Sequence, residues 1–172
     1  MSLDGLYREI ILDHYQNPRN RGELSDADAA AHGHNPLCGD EVDVYLKLRD
    51  GALEEASFTS RGCSISQASA SMMTESVKRH PLADVDEMVA AFRAMMLDEG
   101  SLERWPEMED LEALQGVKRF PVRIKCALLP WNTLQEALRT RAAERPPEQV
   151  SAASAAETGS GSRSTTGRGA EQ

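Results

Sequence analysis

Between Val42 and Leu48, apolar Val42, Val44, Leu46 and Leu48 alternate with Asp43, Tyr45 and Lys47. A period of two predicts a strand with one buried face. Asp50-Gly51 then offers a two-residue hairpin turn, and LEEASFTSR continues as a second strand. Residues 27–36, ADAAAHGHNP, are read as an edge strand, although alanine and glycine favour neither pairing nor packing.

On either side of these strands the period changes. Leu3, Tyr7, Ile10 or Ile11, and His14 recur at helical spacing, and the pattern stops at the turn-rich NPRNRG of residues 17–22. From Ser64, SISQASASMMTESVKRH predicts a helix ending at Pro81, and Asp84 with Glu87 forms a capping pair that opens another helix through Met95 or Met96. The acidic 98–120 stretch predicts one or two short helices with Gly116 as a stop. A last helix from Pro121 to Arg141 carries Leu128, Trp131, Leu134 and Leu138 on one stripe. Pro130 falls inside it and removes a hydrogen bond at a cost of about 3 kcal/mol, so a kink is expected near Leu129. Helices following strands make this an α+β domain, a small antiparallel three-stranded sheet packed by helices. Beyond Arg141 almost no large apolar side chain offsets the entropy of ordering, which predicts a domain over residues 1–143 and a disordered tail over 144–172.

Composition narrows the chemistry. The start of the chain has no basic and apolar leader, and no run approaches about 18 apolar residues, so a soluble cytoplasmic protein is expected. A net charge of -9 argues against a nucleic-acid binder or a binder of anionic membranes. That charge is unevenly spread: residues 84–115 hold ten acids against Arg93 and Arg104 and are read as a solvated face, whereas Lys118, Arg119, Arg123 and Lys125 lead up to Cys126 without an acid among them.

Three cysteines, an odd number in a chain with no secretion signal, favour metal or thiol chemistry over a disulfide framework. In an extended strand positions i and i+2 share a face, so Cys38 and Asp40 of NPLCGDEV can point at one atom, with Gly39 leaving the backbone free to bend. Cys63 precedes the helix that starts at Ser64, where free amides and the helix dipole favour a thiolate. Basic residues upstream of Cys126 act on it in the same direction. Three thiolates and one carboxylate suffice for a tetrahedral zinc site. Against this, an isolated buried cysteine commonly behaves as a small hydrophobe and Asp after Gly as a turn residue, and the spacing lacks paired C-x-x-C ligands. His32 and His34 lie close enough to Cys38 to be weighed as substitutes, while His14 and His80 are placed on helix faces and Met72, Met73, Met95, Met96 and Trp131 in the core.

LYREIILDHYQNPRNRG, the NPLCGDEV loop, RGCSIS and RIKCALLPWNTL together resemble the SufU branch of the IscU/NifU-like iron–sulfur cluster assembly proteins, over residues 3–141. Two features separate the chain from the IscU branch: Lys125 stands where that branch has a histidine, and residues 98–118 look like the segment that SufU proteins insert before the third cysteine. The resemblance implies a zinc-dependent sulfurtransferase. It would take persulfide sulfur from the PLP-dependent cysteine desulfurase SufS and pass it to downstream SUF assembly proteins. By the matching motifs Cys38 is the sulfur acceptor, Cys38, Asp40, Cys63 and Cys126 hold the metal, and Arg123 and Lys125 are basic neighbours able to steady an anionic sulfur. Two alternatives stand beside it: a scaffold on which a nascent iron–sulfur cluster is assembled, and an interaction module with a purely structural zinc.

Overall fold

The computed structural model describes residues 2–144. Ser2 opens helix α1 (Leu3–Gln16) by accepting a hydrogen bond from the Gly5 amide at 3.2 Å. Strands β1 (Ala29–Asn35), β2 (Asp40–Arg49) and β3 (Ala52–Arg61) form an antiparallel sheet in the order β1-β2-β3. The expected α+β architecture is thus present, edge strand included.

The hairpin follows from its turn. Asp50 and Gly51 both take positive φ, 51° and 77°, the combination whose twist matches the strands it joins. The alternation along β2 then buries Val42, Val44 and Leu46 and leaves Asp43, Tyr45 and Lys47 half-exposed. In β1 small residues prove an asset to packing: a Cβ on Gly33 would lie 2.0 Å from Thr133 Oγ1, so only glycine lets the last helix approach this closely.

Helix α2 (Ser64–Val77) is buried along nearly its whole length. Its hydroxyls spend their bonds internally: Ser76 donates to the Met72 and Glu107 carbonyls, and Thr74 to that of Ser71. Helix α3 (Leu82–Leu97) contributes Val85, Met88, Val89, Phe92, Met95 and Met96 to the core, and Phe92 stacks on Trp131 at 4.7 Å between ring centroids. The expected capping pair is absent there: Pro81 occupies the N-cap without a side-chain bond, and Asp84 lies within the first turn. Pro81 fixes the entry geometry and the Leu82 amide is taken by the Gly51 carbonyl, so no acidic cap is required.

The acidic stretch is more than a solvated face. A 3₁₀ segment (Pro106–Val117) buries Met108, Leu111, Ala113 and Leu114 while its carboxylates turn outward. Two of those carboxylates fasten it. Asp110 bonds Nε2 of His14 at 2.9 Å, and Glu107 meets His80 at 2.6 Å. His14 sits on a face of α1, as expected, and that face is buried, with the other ring nitrogen 2.8 Å from Ser71 Oγ. Helix α4 (Pro121–Glu144) is assigned as one helix across Pro130, with Cys126, Leu128, Trp131 and Leu134 buried. The expected tail lies outside the described residues apart from Glu144.

Candidate metal centre

Four separate elements deliver the candidate ligands to one end of the sheet. Cys38 sits in the turn that joins β1 to β2, residues 36–39, and is exposed. The same-face argument from an extended strand therefore does not apply to it. Its turn is shaped by Asn35, whose Oδ1 accepts from the Leu37 amide at 3.1 Å and whose carbonyl accepts from the Gly39 amide at 2.8 Å. Gly39 closes the turn at φ 73°. An asparagine before Pro36 was the visible signal for this turn.

Asp40 begins β2 and is buried. Its Oδ1 accepts from the Cys63 amide at 2.9 Å, and its Oδ2 lies 3.3 Å from Cys63 Sγ. The β2–β3 register pairs Glu41 with Arg61, which carries Asp40 up to Gly62. Gly62 has φ 150°, and a Cβ there would lie 2.2 Å from Asp40 Oδ1, so position 62 is reserved for glycine by the carboxylate beside it. Cys63 is the N-cap of α2, as expected, and its Sγ also stands 3.8 Å from Ser66 Oγ.

Cys126 arrives from α4 and is buried, with its Sγ 3.4 Å from that of Cys38. Ligand atoms of Cys38, Asp40 and Cys126 all lie within 4.8 Å of one another, and Cys63 stands just outside this set, bonded to Asp40. Two sulfurs on one tetrahedral zinc, each about 2.3 Å from it, are roughly 3.8 Å apart. Soft thiolates and a carboxylate at this spacing suit such an ion, so the residues form a possible metal site.

A buried brace behind Cys126 escaped the reading of the sequence. Ser69 Oγ donates to the Ala127 carbonyl at 2.6 Å and accepts from Trp131 Nε1 at 3.2 Å. It ties α2, whose N-cap is Cys63, to the turn of α4 that holds Cys126. Pro130 follows Cys126 by four residues and has no N–H, so the Cys126 carbonyl lacks its usual helical partner within that same turn.

Electrostatics at the centre run against the expectation drawn from local charge. Burial pushes the Cys126 thiol far up, and the Asp40 carboxylate and the Cys38 thiol push it further. Arg123 and Lys125 point to solvent, where water screens them, so local sequence charge loses to burial. Burial also opposes the charge on Asp40. Bonds from the Cys38 and Cys126 thiols and from the Cys63 amide and thiol outweigh it and hold the carboxyl below its ordinary value. His32, weighed as a ligand, instead bonds Asp43 at 2.9 Å on the open face of the sheet.

Residues 6–143 match the NifU-like N-terminal domain family. The chain belongs to that family. Among its relatives, the zinc-dependent sulfurtransferase SufU of Bacillus subtilis is 44% identical over 135 residues, covering 78% of this chain and 90% of that protein. The iron–sulfur cluster assembly scaffold protein IscU of Thermotoga maritima is 38% identical over 138 residues, 78% of this chain and 93% of that one. In three dimensions, the N-terminal part of a NifU-like protein from Brucella abortus superposes with a TM-score of 0.74 at 27% identity, over 83% of this chain and 99% of that chain. The family accounts for the three-stranded sheet and its packing of helices. No helix among the described residues is long and apolar enough to cross a membrane.

Proposed function

We propose that the protein is a zinc-dependent sulfurtransferase of iron–sulfur cluster assembly, with Cys38 as the atom that accepts sulfur. The observation that carries this reading is the asymmetry of the thiols: Cys38 is exposed on a glycine-closed turn, Cys126 is buried in a helix, and Cys63 is pinned through its own amide to Asp40. Of the three, Cys38 is the most open to a donor, Cys63 is half-buried, and Cys126 cannot be reached without unpacking the domain. Likeness to a relative described as a zinc-dependent sulfurtransferase supports the same choice.

In this reading Cys38, Asp40, Cys63 and Cys126 hold the ion. Zinc, when bound, keeps its thiolate ligands deprotonated at neutral pH. The donor is the persulfide of a PLP-dependent cysteine desulfurase of the SufS kind. Cys38 thiolate attacks its terminal sulfur, a new S–S bond forms on Cys38, and the desulfurase cysteine departs as a thiolate. Asp40, Cys63 and Cys126 preserve the pocket while the Cys38 turn moves, and exposed Arg123 and Lys125 steady the anionic sulfur. The sulfur then passes to downstream SUF assembly proteins in the cytoplasm.

Metal analysis coupled to a desulfurase assay tests this. Purified protein should be colourless, carry about one zinc, and multiply the cysteine turnover of a SufS desulfurase, with chelator or Cys38→Ala abolishing the gain. A second reading, a scaffold for a nascent cluster, draws on the three converging thiols and on the relative described as a scaffold. Brown protein that transfers a cluster intact would establish it instead. A purely structural zinc would make Cys38→Ala unfold the domain as badly as Cys63→Ala does.

A further inference from the structure

We infer that Cys38 and Cys126 form a reversible intramolecular disulfide when the metal-free protein meets a peroxide, and that Cys63 stays a free thiol. The inference rests on the geometry of three thiols and holds whether or not sulfur transfer is confirmed. Sγ of Cys38 and Sγ of Cys126 are 3.4 Å apart, although 88 residues separate them in the chain. A disulfide needs about 2.05 Å, so closure asks for an approach of roughly 1.4 Å. That movement is available on one side: the Cys38 turn is exposed and held by two bonds to Asn35, whereas Cys126 is buried in a helix braced by Ser69.

Cys63 is held away from this reaction. Its amide donates to Asp40 Oδ1 at 2.9 Å and its thiol to Asp40 Oδ2 at 3.3 Å, which fixes both its backbone and its sulfur on the carboxylate. It also falls outside the cluster in which Cys38, Asp40 and Cys126 stand within 4.8 Å of one another. Cys63 also neighbours Cys126, so the pair is selected by anchoring as well as proximity. The Cys38 sulfur is 3.4 Å from Cys126 on a movable turn, whereas Cys63 is bonded to the carboxylate through both amide and thiol.

Chemistry proceeds in two balanced steps. Exposed Cys38 attacks a peroxide oxygen, the O–O bond breaks, and a sulfenic acid forms with release of water. Cys126 then attacks the Cys38 sulfur, the S–O bond breaks, and the departing hydroxide takes up the Cys126 proton as a second water. Two thiols are oxidised and one hydrogen peroxide is reduced. The product consumes the exposed acceptor thiol and a buried thiol of the same centre together. A dithiol reductant reverses it by exchange.

The test uses the full chain, stripped of metal by chelator and fully reduced, then exposed to hydrogen peroxide, quenched with iodoacetamide, digested and mapped by mass spectrometry. Accessible thiols in denaturant should fall from three to one, a peptide pair joining Cys38 to Cys126 should dominate, and Cys63 should be alkylated. Dithiothreitol should restore all three thiols. Cys63→Ser should still form the link, and Cys126→Ser should leave a Cys38 sulfenic acid that dimedone traps. A dominant disulfide through Cys63, a link between two molecules, or a sulfinic acid on Cys38 in place of the link would overturn the inference. Mapping of the unsubstituted chain decides the matter even where a variant fails to fold.

Discussion

Cys38 and Cys126 meet sulfur to sulfur at 3.4 Å, yet they belong to opposite kinds of structure. One rides an exposed four-residue turn whose shape comes from Asn35 and Gly39. The other is buried in a long helix, backed by the Ser69 and Trp131 brace and pressed into its protonated form by burial. The contrast teaches that a site can combine retention and release by drawing its ligands from elements of different stiffness. Mobility costs little at a turn held by few bonds, while a thiol on a packed helix cannot move without disturbing the core.

The sharpest way to break the comparison is to remove each sulfur in turn. Cys38→Ala should abolish sulfur uptake from a desulfurase persulfide, a loss of three orders of magnitude or more, and leave the thermal midpoint within a few degrees. Cys126→Ala should instead strip the protein of metal and lower its stability by about 2 kcal/mol, since it opens a hole in packed structure. Isothermal unfolding and metal titration on both variants would show it. Equal destabilisation by the two would erase the distinction.

Next in size is Gly62→Ala, which attacks the fixed side through its carboxylate. The added methyl collides with Asp40 Oδ1, and the φ of 150° is hostile to any side chain. Metal affinity should fall about 10- to 100-fold, with Cys38 alkylation rates in metal-free protein unchanged. Ser69→Ala is a gentler test of the same side: it leaves the Trp131 N–H without a buried partner, at a cost of about 1–3 kcal/mol, and should loosen metal by roughly 10-fold. Circular dichroism melts and a competitive zinc indicator measure the two effects.

The smallest effect concerns pH. The folded Cys126 thiol is held above its ordinary value of 9.0, so the unfolded chain releases that proton first as pH rises. Above that value the folded state binds more protons than the unfolded, and stability falls with pH. The contribution is fully present below it. Denaturant midpoints of metal-free protein should hold from pH 7 to about pH 9 and decline above it, and Cys126→Ala should flatten that decline.

Much of this was legible in the chain. Alternation from Val42 to Leu48, the Asp50-Gly51 turn and the stripes of the flanking helices named their elements because side-chain period is a local property. Three cysteine contexts with Asp40 beside the first pointed to a metal through the chemistry of the donors alone. Local reading failed where neighbours distant in sequence decide. It applied the same-face rule of an extended strand to Cys38 and Asp40 although Cys38 lies in a turn, and it gave no sign that Asp110 and Ser71 enclose the face of α1 that carries His14. It also let four basic residues govern Cys126, when burial beneath packed helices outweighs charges that face water. Residue types and their periods determined which elements form and which atoms could bind a metal. Register, burial and the approach of α4 to the sheet decided which of those atoms meet, because distances across a fold are set by packing and carry no local signature in the chain.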